Sequence, residues 1–166
     1  MKKSAVFFGS ETGTTEELAH KIASKLKIKA FDIADSEPKQ LESFDLLILG
    51  TSTWDEGNLQ DDWQDFIEDY PTINLKGKKV ALFGVGDQRG HGNHFIDGVY
   101  ELYKWAKKSG AQIVGEYYDN EYFFENSKSF IDGKFIGLAL DEDYQKELSQ
   151  ARIDRWAQTI NSFMHQ

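Results

Sequence analysis

The chain has 166 residues, of which 40% are hydrophobic and 14% aromatic. That is enough for one well-buried core and short for two, so residues 1–166 read as a single domain. It contains no cysteine, which excludes disulfides, thiolate-held iron–sulfur clusters and thiol nucleophiles and leaves a bound cofactor as the route to any redox role. A formal net charge of −9 argues against the phosphate backbone of a nucleic acid as partner and favours a basic one.

No segment approaches the roughly 18 apolar residues of a membrane span, and the N-terminal MKKSAVFFGS has only a short apolar run with no cleavage-like tail. A soluble cytoplasmic protein is expected.

Along the chain, short apolar runs closed by glycine or polar residues alternate with helical patterns. The runs SAVFFG (4–9), IKAFDI (28–33), DLLILG (45–50), KVALFGVG (79–86) and AQIVGEY (111–117) read as strands covered on both faces. Between and after them, three apolar stripes follow helical spacing: Leu18, Ala19, Ile22, Ala23, Leu26; then Phe95, Ile96, Val99, Leu102, Tyr103, Ala106; and last Ile153, Trp156, Ala157, Ile160, Phe163, Met164. Thr14 followed by Glu17 reads as a capping box opening the first helix. Trp63, Trp105 and Trp156 are expected to pack on helices, and His20 and His165 to lie on the surface. This alternation implies an α/β fold with a parallel sheet wound on both faces.

Two segments interrupt the rhythm. DEGNLQDDWQDFIED (55–69) carries seven carboxylates and no lysine or arginine, consistent with a solvated helix face. EYYDNEYFFENSKSFIDGKFIGLALDED (116–143) is too aromatic for a disordered loop and too irregular for a helix, and reads as a structured insertion before the last helix.

Open parallel sheets bind ligands at the carboxyl ends of their strands, where the chain order reverses. The loops after the first, third and fourth strands therefore belong together: GSETGTTE (9–16), GTSTWDEGN (50–58) and GVGDQRGHGNHF (84–95). The first runs into a helix, whose N-terminus offers unpaired N–H groups and the positive end of the dipole to a phosphate. Hydroxyls at Ser10, Thr12, Thr14 and Thr15 add neutral donors. A nucleoside triphosphatase loop would place lysine after its second glycine, where this chain has Thr14 after Gly13, and the G-x-G-x-x-G dinucleotide fingerprint is missing. Such a loop would hold a phosphate without helping to transfer it; taken alone, a Gly/Ser/Thr turn before a helix also reads as an ordinary cap.

GSETGTTE, TWDEG and GDQRGHGNHF together resemble the three cofactor loops of the flavodoxins, and GKFIGLALDED resembles the insertion that splits the last strand in the long-chain members of that family. The resemblance covers nearly the whole chain. It implies a doubly wound five-stranded parallel sheet of order 2-1-3-4-5, the flavodoxins being a standard instance of that order, with the insertion in the last strand.

The resemblance also implies non-covalently bound FMN. Its phosphate would be held by Ser10, Glu11, Thr12, Gly13, Thr14 and Thr15, with Glu11 giving its amide while its side chain points away. Ser52, Thr53 and Trp54 would flank one face of the isoalloxazine, with Trp54 stacked on it. The Asp55–Glu56 peptide would supply a carbonyl for the flavin N5–H, with Gly57 also bordering the cofactor. Gly86, Asp87, Gln88 and Asn93 would line the loop at the pyrimidine end, and His91 stands where the family usually stacks a tyrosine. His91 and His94 lack a recognisable third ligand, so no metal site is expected.

The implied activity is that of a low-potential one-electron carrier, not an enzyme, shuttling between neutral semiquinone and anionic hydroquinone. A negative charge on a reduced ring beside an acidic surface and a phosphate is disfavoured, which keeps the potential low. A protonated imidazole at His91 would offset that charge, and a tyrosine would not. The partners implied are a reductase as donor and low-potential oxidoreductases as acceptors, basic-faced where they meet residues 55–69, with the carrier itself a monomer. A small FMN enzyme of related fold would need a substrate pocket and a nicotinamide site. A phospho-acceptor signalling domain would need carboxylates where Gly9 and Ser10 stand.

Overall fold

The computed structural model describes residues 2–54 and 56–165. Five strands are central: β1 (Ser4–Phe8), β2 (Lys29–Asp32), β3 (Leu46–Trp54), β5 (Lys79–Val85) and β6 (Gln112–Val114) lie in the order β2-β1-β3-β5-β6, every neighbouring pair parallel. A short β4 (Asn58–Leu59) pairs antiparallel with the end of β3. Helices α1 (Thr14–Leu26), α2 (Pro38–Glu42), α3 (Asp61–Asp69), α4 (Asp97–Lys108) and α5 (Lys146–Met164) complete the layers.

Side chains of consecutive strand residues point to opposite faces, so each strand feeds two cores. Val6 and Phe8 on β1 and Ile48 on β3 pack with Leu18 and Ile22 of α1 and Ile153, Trp156 and Ile160 of α5. Ala5, Phe7, Leu47 and Leu49 join the other core with Trp63 of α3 and Leu102 and Trp105 of α4. Trp63, Trp105 and Trp156 are each at most 3% exposed. Each indole N–H donates to a carbonyl: Trp63 to Gly50 (2.8 Å), Trp105 to Tyr70 (2.9 Å) and Trp156 to Gly115 (2.7 Å). Buried indoles keep a polar handle, and these three use it to tie a helix or sheet edge to a neighbour.

The edge of the sheet beside β5 is shared. β6 pairs with Lys79–Ala81, whereas a later strand, β9 (Leu138–Leu140), continues the same parallel line against Phe83–Val85. The chain leaves the sheet at Gly115 and returns at Leu138. In between it forms the hairpin β7 (Phe130–Ile131) and β8 (Lys134–Phe135), under which Phe95, Tyr122, Phe124 and Phe135 make an aromatic cluster. The structured insertion read from residues 116–143 therefore splits the last strand.

Three expectations change at element ends. The N-cap of α1 is Gly13, in the left-handed region at φ 91°, with no side-chain cap bond. The Thr14–Glu17 capping box is not formed, because Thr14 is already the first helical residue, and both side chains line a cleft instead. Phe95 and Ile96 precede α4, with Ile96 at φ 47°, although both are fully buried as the apolar stripe requires. The third strand runs on through Trp54, so Ser52, Thr53 and Trp54 lie on a β-ladder and not on a loop.

Candidate functional site

A cleft of about 390 Å³ opens at the carboxyl ends of β1, β3 and β5. From the β1 side come Glu11, Thr12, Thr14 and Thr15; β3 adds Ser52, Thr53 and Trp54; the β5 loop supplies Gly86, Asp87 and His91. The three segments singled out in the sequence thus converge on one cavity, at the point where strand order reverses between β1 and β3.

The first loop is built to present N–H groups. Ser10 Oγ accepts the Gly13 N–H at 3.1 Å, closing the turn, and a Cβ at Gly13 would meet nothing within 4 Å, so this residue is glycine for its positive φ and not for space. The Glu11 carboxylate takes the Nε2 amide of Gln60 at 2.9 Å, while Gln60 Oε1 caps α3 by accepting the Trp63 N–H at 3.2 Å. Residues around α1's start and α3's start are therefore held to each other.

The β3 wall is fixed by backbone and by α4. Thr53 Oγ1 accepts the Gly98 N–H at 2.9 Å. Trp54 is 38% exposed and is paired to Asn58 across the ladder, which leaves its indole at the surface of the cleft. Ser52 Oγ is buried and is the one buried side-chain polar atom without a hydrogen-bond partner among the described residues. A buried, unpaired hydroxyl costs on the order of 1–3 kcal/mol, so a site that retains one has a use for it.

On the β5 side, Asp87 Oδ1 accepts the N–H groups of Arg89 (2.9 Å) and Gly90 (2.7 Å), and its carbonyl accepts the His91 N–H at 3.0 Å. This holds His91 at the rim, where it also borders a second recess of about 700 Å³ walled by Glu56, Asn58, Asn93, His94 and Glu125. Beneath that recess the buried Asp97 Oδ2 lies 3.1 Å from His94 Nδ1, and Gly57, at φ 94°, sits so close that a Cβ would come within 3.0 Å of the same oxygen. Among the described residues no group of three His, Cys, Asp or Glu is placed to hold a metal ion.

Gln88 differs from its neighbours in the loop. Its side chain does not face the cleft: Nε2 donates to Asp141 Oδ2 (2.9 Å) and Gln145 Oε1 (3.0 Å), and Oε1 accepts the Phe123 N–H (2.7 Å). A buried amide needs partners on both ends, and the insertion and α5 provide them. Asp55 lies outside the described residues.

Sequence reasoning also missed part of the wall. Glu142, Asp143 and Lys146 border the cleft from the start of α5. The carboxyl of Asp143 is held above the ordinary carboxylate range, chiefly by burial and further by Asp87, Asp141 and Glu142, with His91 acting in the opposite sense. Glu142 and Asp143 end the GKFIGLALDED stretch, which was read as part of the insertion and not of the site, and nothing in the local sequence marks Lys146; the packing of α5 on α1 brings all three to the wall.

A doubly wound sheet with an amide- and hydroxyl-lined cleft at its switch point, one aromatic wall and an orphaned hydroxyl defines a protein that seats a planar ligand with a phosphate tail. The chain belongs to the flavodoxin family: the model of the family described as Flavodoxin matches residues 6–156. It is 40% identical to the Flavodoxin of Buchnera aphidicola over 96% of both chains, and 40% identical to Flavodoxin 1 of Escherichia coli over 99% of this chain and 96% of that one. Among solved structures, the Fusobacterium nucleatum flavodoxin bound to flavin mononucleotide matches with a TM-score of 0.92 at 34% identity, covering 99% of both chains. Flavodoxins are FMN-binding electron-transfer proteins, not enzymes, and serve as redox partners of oxidoreductases. No described helix is long and apolar enough to cross a membrane.

Proposed function

We propose that this protein, as one FMN-binding domain over residues 1–166, is a low-potential one-electron carrier of the cytoplasm, monomeric and of the long-chain type. The observation that carries the reading is the unpaired Ser52 Oγ, buried in the wall that also holds the α1 N-terminus and the Trp54 ring. These residues fit FMN in kind: N–H groups and hydroxyls for the phosphate, an aromatic surface for the isoalloxazine. The long-chain assignment is supported by the insertion between β6 and β9.

When bound, FMN supplies two one-electron steps, and the finer reading is that it shuttles between neutral semiquinone and anionic hydroquinone. The same reading gives this chain's residues their roles. Ser10, Thr12, Thr14 and Thr15 with the Glu11 and Gly13 amides bind the phosphate. Ser52, Thr53 and Trp54 orient one ring face and exclude water from it. Glu56 and Gly57, with Asp55, offer the carbonyl that holds a proton at N5. Gly86, Asp87 and Asn93 border the other end. His91 brings an ionisable ring to the face opposite Trp54. The acids at 55–69 would draw in basic-faced reductases and low-potential oxidoreductases.

Stepwise reduction of the FMN-loaded protein, followed by absorption, tests the reading. Two resolved one-electron steps are expected, the second at lower potential and rising more on acidification than in His91→Tyr. Protein that takes up no FMN, or that passes directly to the two-electron state, would overturn it.

A further inference from the structure

Among the described residues, the walls of the cleft contain five carboxylates, those of Glu11, Glu17, Asp87, Glu142 and Asp143, and a single lysine or arginine, Lys146. An FMN phosphate entering such a wall meets repulsion that neutral donors do not cancel. Lys146 is the one formal cation positioned to offset it.

Its location follows from the way two helices run together. Lys25 Nζ lies 3.4 Å from Asp154 Oδ1, linking α1 to α5. One turn towards both N-termini, Lys21 and Gln150 share a surface depression. One turn further stand Glu17 and Lys146, both on the cleft wall. Residues four apart share a helix face, so the series 154, 150, 146 on α5 tracks 25, 21, 17 on α1 and ends beside α1's first turn. That turn, with Thr14 and Thr15, is where the phosphate loop delivers its N–H groups.

Helix chemistry alone does not account for this lysine. Lys146 is the first residue of α5, the positive end of the dipole, where an anionic side chain is favoured and a cationic one is mildly costly. Among the described residues it forms no ion pair, although Glu17, Glu142 and Asp143 border the same cleft; Glu17 reaches Lys21 instead, at 3.7 Å. An exposed, unpaired lysine at an unfavourable helix position, aimed into a cleft where two helix N-termini converge, is placed for an anion.

We propose that Lys146 is a phosphate-binding residue: its ammonium reaches from α5 across the α1 N-terminus and clamps the terminal phosphate of the flavin nucleotide. The proposal rests on the FMN reading above. It makes this phosphate site partly cationic, where the loop sequence by itself offers only neutral donors.

The test is titration of the FMN-free protein with FMN and, separately, with riboflavin, which lacks the phosphate, following quenching of flavin fluorescence at several salt concentrations. In Lys146→Gln, FMN binding is expected to weaken roughly three- to tenfold at low salt, the range of an exposed charge-assisted contact, with riboflavin affinity unchanged and the gap between variant and wild type narrowing as salt rises. Lys146→Arg should retain most of the affinity, and Lys146→Glu should lose more than Lys146→Gln. Equal FMN affinity in wild type and Lys146→Gln would overturn the proposal while leaving the FMN reading intact, as would an equal loss for FMN and riboflavin. Wild-type protein that binds neither flavin would sink both.

Discussion

Ser52 is the residue where structure and function pull in opposite directions. A hydroxyl buried without a partner weakens the fold, so Ser52→Ala is expected to leave the FMN-free protein as stable as wild type or up to about 1 kcal/mol more stable, as judged by urea unfolding. The same change should weaken FMN binding by roughly fivefold, the cost of one lost hydrogen bond. A loss of stability in the FMN-free protein would show that the hydroxyl has a structural partner and that the site does not reserve it for a ligand. The neighbouring donors give the contrast: Ser10 Oγ already closes its own turn, and Thr53 Oγ1 already holds Gly98. Hydroxyls that look equivalent in GSETGTTE and GTSTW are thus divided by the fold into those that build the site, such as Ser10 and Thr53, and those that face what enters it, among which Ser52 alone is buried without a partner among the described residues.

At the scale of elements, the insertion is tied to the rest of the protein by one buried cation. Arg152 on α5 is fully buried; its Nε and Nη2 donate to Asp119 at 2.9 and 3.2 Å, its Nη1 donates to Gln145 Oε1 at 2.8 Å, and its guanidinium carbon lies 3.8 Å from the centre of the Tyr122 ring. Gln145 Oε1 also accepts from Gln88, so the chain of bonds runs from the insertion through α5 to the loop that carries His91. Burial pushes the Asp119 carboxyl up, but the Arg152 guanidinium, the Glu121 N–H and the Tyr117 hydroxyl outweigh it, and the net displacement is below the ordinary value of 3.8. A carboxylate depressed in the folded state contributes stability above its unfolded value and loses that contribution as pH falls through the folded one. Urea midpoints measured downwards from pH 5 should therefore drop more steeply below about pH 4 in wild type than in Asp119→Asn. Parallel profiles would mean that the pair contributes nothing in acid. Arg152→Met leaves Asp119 with the exposed Arg155, 3.6 Å away, as its ionic partner and is expected to cost about 3 kcal/mol at neutral pH.

The same elements show what sequence can and cannot carry. The five strands and the three apolar stripes were legible because burial on both faces of a sheet, or on one face of a helix, imposes a local period. The three loops were legible because each follows a strand end, and strand order then places them together. The inward turn of the Gln88 side chain was not legible because its local setting, GDQRG, is that of a ligand loop, whereas its partners Asp141 and Gln145 are distant in sequence. Lys146 left no trace for the same reason: its meaning is a helix–helix register.

Over the whole molecule the charge is arranged and not merely abundant. The net charge of −9 includes an exposed acidic face on α3, where Asp61, Asp65, Glu68 and Asp69 point outward while Trp63 and Phe66 face the core. That helix begins directly after β4, beside the Trp54 wall of the cleft. Along α1 and its C-cap, by contrast, Lys21, Lys25 and Lys27 border one surface depression. On the proposed function, an acidic face beside the cleft would steer a basic partner before contact, and such steering is screened over a Debye length of roughly 8 Å at physiological salt. Electron transfer to a basic acceptor protein, followed by stopped flow, should therefore slow as salt rises from about 20 to 500 mM. Reversing two charges in Asp65→Lys/Glu68→Lys should lower the low-salt rate by on the order of tenfold and flatten the salt dependence, while FMN affinity stays the same because neither residue borders the cleft. If the double variant keeps the wild-type salt slope, the acids on α3 serve solubility alone, and the docking surface must be sought on another side of the cleft.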